Sequence, residues 1–220
     1  MANQLDVLVT GGTGYVGRRL IPELLARGHR VRALARQSSV ARVPAGATAV
    51  IGDALSADSV AAAMEPGDTV VHLVGTPHPN PSKAKEFQRV DLPSIRATVA
   101  AAQSAKISHL VYVSVAQPAP VMRAFIEARA AGETAIRDAK LTATILRPWY
   151  ILGPGHWWPL ALIPVYKIAE LLPSTRESAH RLGLVTLDQM VQALIAAVEK
   201  PPAPDSIRII DVPTIRRGAV

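Results

Sequence analysis

The stretch from Leu5 to Arg19, L-D-V-L-V-T-G-G-T-G-Y-V-G-R-R, narrows the choice of fold more than any other part of the chain. An apolar run rich in Val and Leu breaks into glycines at 11, 14 and 17, then continues as helix-compatible sequence to Arg27. Strand, glycine turn and helix follow one another without a spacer. Glycine at such a turn lets backbone N–H groups and the positive end of a helix dipole approach an anion that a Cβ would hold off. The segment reads as a phosphate-binding turn that opens a dinucleotide fold, although glycines also punctuate ordinary strand-to-helix loops.

The spacing is T-G-x-x-G-x-x-G, from Thr10 to Gly17, and departs from the G-x-G-x-x-G of ordinary dehydrogenases. It resembles the short-chain dehydrogenase/reductase superfamily. The run T-G-G-T-G-Y-V-G is most similar to that of its extended and atypical members, the NAD-dependent epimerase/dehydratase-like and NmrA-like NAD(P)H-binding proteins. The resemblance implies an α/β, Rossmann-like, doubly wound parallel sheet with helices on both faces. It implies one NAD(P)-binding domain over residues 1–220, with a small C-terminal lid or substrate lobe at about 149–184. On the turn itself, Gly11, Thr13, Gly14, Tyr15, Val16 and Gly17 become candidate cofactor contacts.

Composition removes several other classes. A chain of 220 residues with 49% hydrophobic content has enough apolar surface for one sizeable core. With no cysteine there is no disulfide framework, thiolate metal site or thiol nucleophile, which suits a cytoplasmic location. No metal site is expected. The start, M-A-N-Q-L-D, has no basic region before an apolar one and so does not read as a secretory leader. No stretch of about 18 residues is free of charge and proline, against a spanning helix. The formal charge of +7 is spread along the chain and aromatic content is 4%, so a nucleic-acid stacking platform is not expected. An anionic cofactor and a solvated surface account for the basic balance.

Further along, Gly28 stands where a helix C-cap glycine is expected and 29–34 reads as a second strand. An acid at the end of this strand would accept from the ribose 2′-hydroxyl of NAD. The sequence there is V-R-A-L-A-R-Q-S-S, with Arg32 before the strand end and Arg36 after it. A guanidinium at that place pairs bidentately with a 2′-phosphate, so NADP(H) is favoured over NAD(H), unless Arg36 is simply solvated. A strand over 47–51 precedes Gly52-Asp53-Ala54; by resemblance the Asp53 carboxylate lies beside the adenine amino group and the Ala54 N–H on the ring. Ser56 is placed to cap a helix over 57–64, with Asp58 in its first turn. A strand over 69–74 carries His72, which reads as a core histidine, and Leu73, Val74 and Gly75 line the cofactor by resemblance. A long helix over 82–104 and a fifth strand over 109–114 complete a strand–helix alternation.

The segment after this strand bears on the chemistry. The resembled family uses a Ser or Thr after the strand and Tyr-x-x-x-Lys on the next helix, the lysine at i+4 lowering the phenol's pKa. Here Ala116 stands at the hydroxyl position and the helix over 121–138 offers Phe125-x-x-x-Arg129. Phenylalanine has no proton to give, while Arg129 keeps a charge that can hold the nicotinamide ribose; Ser114 is a further candidate cofactor contact. A sixth strand over 141–146 runs into R-P-W-Y-I-L-G-P-G, where by resemblance the backbone of Pro148 and Trp149 meets the nicotinamide carboxamide. Tyr150 is then the best remaining phenol for proton transfer, with a structural hydroxyl as its alternative.

The run H-W-W-P-L-A-L-I-P-V-Y-K-I-A-E-L-L-P, 156–173, is the most apolar part of the chain. Three readings stand: a lid over a small apolar ligand, a peripheral membrane or subunit contact, or buried core. Thr186 and Gln189 form a capping-box pattern for a last helix with Leu187, Met190, Val191, Leu194, Ile195 and Val198 on one stripe. A final strand over 207–212 leads to Arg216 and Arg217 in a frayed tail. Two functions fit: an NADP(H)-dependent oxidoreductase on a small apolar carbonyl or quinone-like substrate, or a non-catalytic dinucleotide-binding sensor or assembly protein.

Overall fold

A computed structural model describes residues 4–119, 121–155 and 181–218. Seven strands form one parallel sheet: β1 (Asp6–Thr10), β2 (Arg30–Ala35), β3 (Thr48–Ile51), β4 (Thr69–His72), β5 (His109–Val113), β6 (Ala143–Arg147) and β9 (Ile207–Asp211). Their order is β3-β2-β1-β4-β5-β6-β9. A separate parallel pair joins β7 (Tyr150–Leu152) to β8 (Leu184–Thr186).

The central strands are short apolar runs buried along most of their length, as they must be when helices cover both faces. Side-chain alternation divides these runs between two cores. Val7, Val9, Val71, Val111 and Leu146 point to one face, covered by α1 (Gly17–Ala26) and α6 (Leu187–Glu199). Leu8, Val70, Leu110, Tyr112 and Ile145 point to the other, against α2 (Ala57–Ala63), α4 (Leu92–Ala105) and α5 (Arg123–Asp138). The chain runs outward from β1 through β2 to β3, then returns to place β4 on the other side of β1. Crossovers that leave β1 and β4 in opposite directions open a crevice at their C-terminal ends.

Local signals behave as expected. Gly28 follows α1 with φ of 87°. The Ser56 side chain accepts from Ser59 N at the start of α2, Asp58 sits in the first turn, and Thr186 and Gln189 make both bonds of the capping box on α6. Two expectations need correcting. The helix expected over 82–104 is broken into a 3₁₀ turn at Pro81–Lys83, a short α3 (Ala84–Glu86), a π-helical turn at Phe87–Asp91, and only then α4, with Pro93 near its start. The expected frayed tail is also helical: α7 (Val212–Arg217) is capped by the Asp211 side chain and buries Val212 and Ile215.

Candidate functional site

The crevice contains two adjoining cavities at the C-terminal ends of the strands. The smaller, about 360 Å³, is lined by Leu34, Ala35, Arg36 and Ser39 from the end of β2, Gly52 to Leu55 from the end of β3, and Glu86 and Val90 from above. The larger, about 830 Å³, runs from the glycine turn past Val113, Ser114 and Arg129 to Pro148, Trp149, Tyr150 and Ile151, with Met122 and Phe125 on its outer wall. Gly11, Thr13, Gly14, Leu73 and Gly75 line both. An elongated ligand lying across the glycine turn fits this pair of compartments.

Backbone packing explains the turn's glycines. Gly11 has φ of 77°, and a Cβ there would stand 2.8 Å from the Leu73 carbonyl carbon; one at Gly17 would stand 2.5 Å from Gly12 Cα. The turn is thereby folded tightly onto the start of α1. That helix has no side-chain cap and no acid in its first turn, so no side chain competes with a phosphate for the positive end of its dipole. The residues present fit a dinucleotide.

Asp53 lies in the smaller cavity with its side chain accepting from Leu55 N at 3.0 Å, beside Ala54. Arg36 opens the segment after β2 and is exposed on the wall of the same cavity. Arg32 does not join it. Its guanidinium turns under the sheet to the buried Asp68, to Glu65 at 2.7 Å and to the Ala63 carbonyl at 2.9 Å, fastening β2 to the turn after α2. Among the described residues, sequence reading passed over Glu86, Val90, Arg42, His78 and Asn80 as cavity walls. Glu86 and Val90 come from the broken helix, which periodicity drew as continuous; Arg42 ends a 3₁₀ helix over Gln37–Arg42, and His78 and Asn80 come from a loop that carries no periodic signal.

The face of α5 that carries Phe125 and Arg129 is now a structural frame. Arg129 is 7% exposed and donates to Asp91 at 2.6 Å, to Val113 O at 2.9 Å and to Val74 O at 3.3 Å. Asp91 also accepts the N–H and hydroxyl of Thr76, at 3.0 and 2.6 Å. The π-helical turn ends on Asp91, so the irregular stretch carries the carboxylate that Arg129 and Thr76 share. Arg129 lines the larger cavity, and any hold on a ribose adds to these bonds. Phe125 packs its ring 5.0 Å from that of Phe87. Ala116 is buried with its N–H on Pro148 O at 2.9 Å, so neither hydroxyl nor phenol stands at the two positions where the resembled mechanism needs them.

Tyr150 opens β7 with its ring 5.4 Å from Trp149 in an edge arrangement, and burial pushes its phenol above the ordinary value. Ser114 donates its hydroxyl to Glu133 at 2.7 Å. His72 is a satisfied core residue: its Nδ1 lies 3.0 Å from both Thr10 and Thr98 hydroxyls, and burial lowers its pKa to about 3. The lid residues expected at 156–173, Trp157 and Trp158 included, lie outside the described residues, which show the lobe only as the β7–β8 pair. No group of three or more metal-ligating side chains occurs among the described residues. Among the same residues, no helix is long and apolar enough to cross a membrane.

Comparison with known proteins agrees with this geometry. The family model described as NAD(P)H-binding matches residues 11–154, from the glycine turn to the end of the β7 segment. The chain is 26% identical over 216 residues to the ceramide reductase of Caulobacter vibrioides, covering 96% of this chain and 65% of that protein. It is 28% identical over 222 residues to the 3-diazoavenalumate denitrifying reductase of Streptomyces sp, covering 89% and 72%. Some reductase relatives are much longer: the chain spans 33% of a Stigmatella aurantiaca ketoreductase and 40% of the Zea mays divinyl chlorophyllide a 8-vinyl-reductase. In fold it is similar to a short-chain dehydrogenase/reductase superfamily protein from Agrobacterium tumefaciens with bound NAD, with a TM-score of 0.67 at 18% identity over 94% of this chain and 77% of that one. A UDP-galactose 4-epimerase gives 0.68 at 18% identity over 93% and 76%. Strand order, glycine turn and family match converge: the chain has the fold of the short-chain dehydrogenase/reductase and epimerase structures it resembles, and it belongs to the NAD(P)H-binding family.

Proposed function

We propose that this chain is an NADP(H)-dependent oxidoreductase acting on a small apolar carbonyl or quinone-like acceptor. The observation that carries the reading is the larger cavity. Beyond the glycine turn it is walled by Met122, Phe125, Trp149, Tyr150 and Ile151, an apolar chamber at the end where a nicotinamide would lie. A bound nicotinamide supplies the hydride chemistry itself. The chain's own residues bind, orient and protonate. Gly11, Thr13, Gly14, Tyr15, Val16 and Gly17 hold the phosphates; Asp53 and Ala54 take the adenine; Leu73, Val74 and Gly75 form the floor. Arg36 takes the 2′-phosphate. Ser114, Arg129, Pro148 and Trp149 hold the nicotinamide half, and Tyr150 gives a proton to the reduced oxygen, since burial keeps its phenol protonated.

The rival reading, a dinucleotide-binding sensor or assembly protein, is favoured by one feature. Phe125, Arg129 and Ala116 are all tied into packing where the resembled mechanism has a phenol, a lysine and a hydroxyl. Cofactor oxidation measured against a panel of apolar ketones and quinones separates the two. Turnover with any acceptor supports the enzyme. Tight NADPH binding with no turnover across the panel overturns it in favour of the sensor.

A further inference from the structure

Glu133 lies one helical turn beyond Arg129 on α5 and is 1% exposed. It accepts from Ser114 Oγ at 2.7 Å, Gln117 Nε2 at 2.9 Å, Arg147 Nε at 2.9 Å and Arg137 at 2.9 Å. Burial opposes its ionisation, but the hydrogen bonds and charges from Arg147, Ser114 and Arg137 outweigh this and hold the carboxyl below its ordinary value. A carboxylate only accepts, and a serine hydroxyl has one hydrogen and two lone pairs. The hydrogen of Ser114 is therefore fixed on Glu133, and only lone pairs remain for anything else.

Ser114 is itself 4% exposed, lines the larger cavity, and continues the β5 ladder through its N–H to Leu146 O at 2.8 Å. Across that bond the chain runs from Leu146 through Arg147, also held by Glu133, to Pro148 and Trp149. One buried carboxylate thus orients both the serine and the strand end beside it.

We propose that Ser114 is an obligate hydrogen-bond acceptor for the amide N–H of the nicotinamide carboxamide, with Glu133 as the positioning residue that makes it so. The proposal rests on the cofactor reading given above, in which the nicotinamide half lies against Ser114 and Pro148. It selects a ring substituent that can donate, and it works equally at any pH where Glu133 is ionised.

The test compares NADP with its 3-acetylpyridine analogue, which keeps the carbonyl but replaces the amide nitrogen with a methyl group. Calorimetric titration of the full chain should give about 5–10-fold tighter binding of NADP, the effect of one neutral hydrogen bond with its buried acceptor. The ratio should be constant from about pH 6 to 8.5, because the carboxylate stays ionised over that range. In Ser114→Ala, which leaves Glu133 its two arginines and Gln117, the ratio should fall to near one. In Glu133→Gln the serine proton is released to turn, and the ratio should fall as well. Should Glu133→Gln fail to fold, Ser114→Ala decides alone. If NAD binds more tightly than NADP, the corresponding NAD pair replaces it. Equal wild-type affinities, or a ratio unchanged in Ser114→Ala, overturn the proposal while leaving the cofactor reading intact. If the wild-type chain binds neither dinucleotide, both fall together.

Discussion

Arginines show what a residue position decides that residue type does not. Arg32 and Arg36 are four apart on one strand and its exit, yet Arg32 is consumed by Asp68 and Glu65 whereas Arg36 faces the smaller cavity. Alternation would put both on one face; what separates them is that Arg32 lies inside β2 while Arg36 lies past its C-terminal end, and that an acid 36 residues away in sequence reaches only Arg32, which lay beyond sequence reading. If Arg36 takes the 2′-phosphate, Arg36→Ala should weaken NADPH by about 1.5–3 kcal/mol, the worth of one charge-assisted bidentate pair, and leave NADH unchanged. Titration of both cofactors checks this, and equal losses for both would refute the assignment. Arg129 makes a different forecast. Its partner Asp91 is fully buried, so Asp91→Ala strands a guanidinium without its counter-charge, which typically costs about 3–5 kcal/mol, readable in urea unfolding. Replacing both partners, as Asp91→Leu with Arg129→Met, should cost less than Asp91→Ala alone. For Tyr150, the phenylalanine variant should lower turnover by about 10²–10⁴-fold with cofactor affinity unchanged if its phenol is the general acid. An undiminished rate in that variant would assign the proton to another donor.

Elements whose signals are local were legible in advance, and those shaped by distant partners were not. The capping box on α6 needs only Thr186, Gln189 and the backbone between them, and both of its bonds are present. Thr186→Ala should cost about 1 kcal/mol in chemical denaturation, with little effect on cofactor binding, because neither Thr186 nor Gln189 lines either cavity. The glycine turn was equally readable, since strand, turn and helix are contiguous. The helix after β4 was not. Its apolar spacing runs on through the break, and the partner that holds Asp91 at the end of the π turn, Arg129 on α5, lies 38 residues away. The end of the chain was misread for a related reason: two adjacent arginines look like a solvated tail until Asp211, Val212 and Ile215 are seen to anchor a short helix.

The pH response belongs to the whole molecule, because two of its buried histidines sit at opposite ends of the sheet. His72 closes β4 and His109 opens β5, and burial lowers their pKa values to about 3 and about 4 from 6.5. The unfolded chain binds these protons below pH 6.5 and the native one does not, so stability is lost as pH falls. Each histidine contributes up to about 1.4 kcal/mol per pH unit until its folded pKa is reached. Glu133, held below its ordinary 4.5, adds a further loss only under that value, as its carboxylate is neutralised. Urea midpoints should therefore fall steadily from pH 6.5 to 4.5, and His109→Gln should roughly halve the slope. A flat profile over that range would contradict the burial of both rings.

In the proposed enzyme, the wall that joins the two cavities sets the order of binding. Gly11, Thr13, Gly14, Leu73 and Gly75 are shared, so a dinucleotide seated on them would become the floor of the apolar chamber beneath Met122, Phe125 and Tyr150. Until it is seated, the second reactant has nothing to rest against. An oxidoreductase built this way runs a compulsory sequence in steady-state kinetics, with the reductant first on and its oxidised form last off. The oxidised dinucleotide should then inhibit competitively against the reduced one and non-competitively against the acceptor.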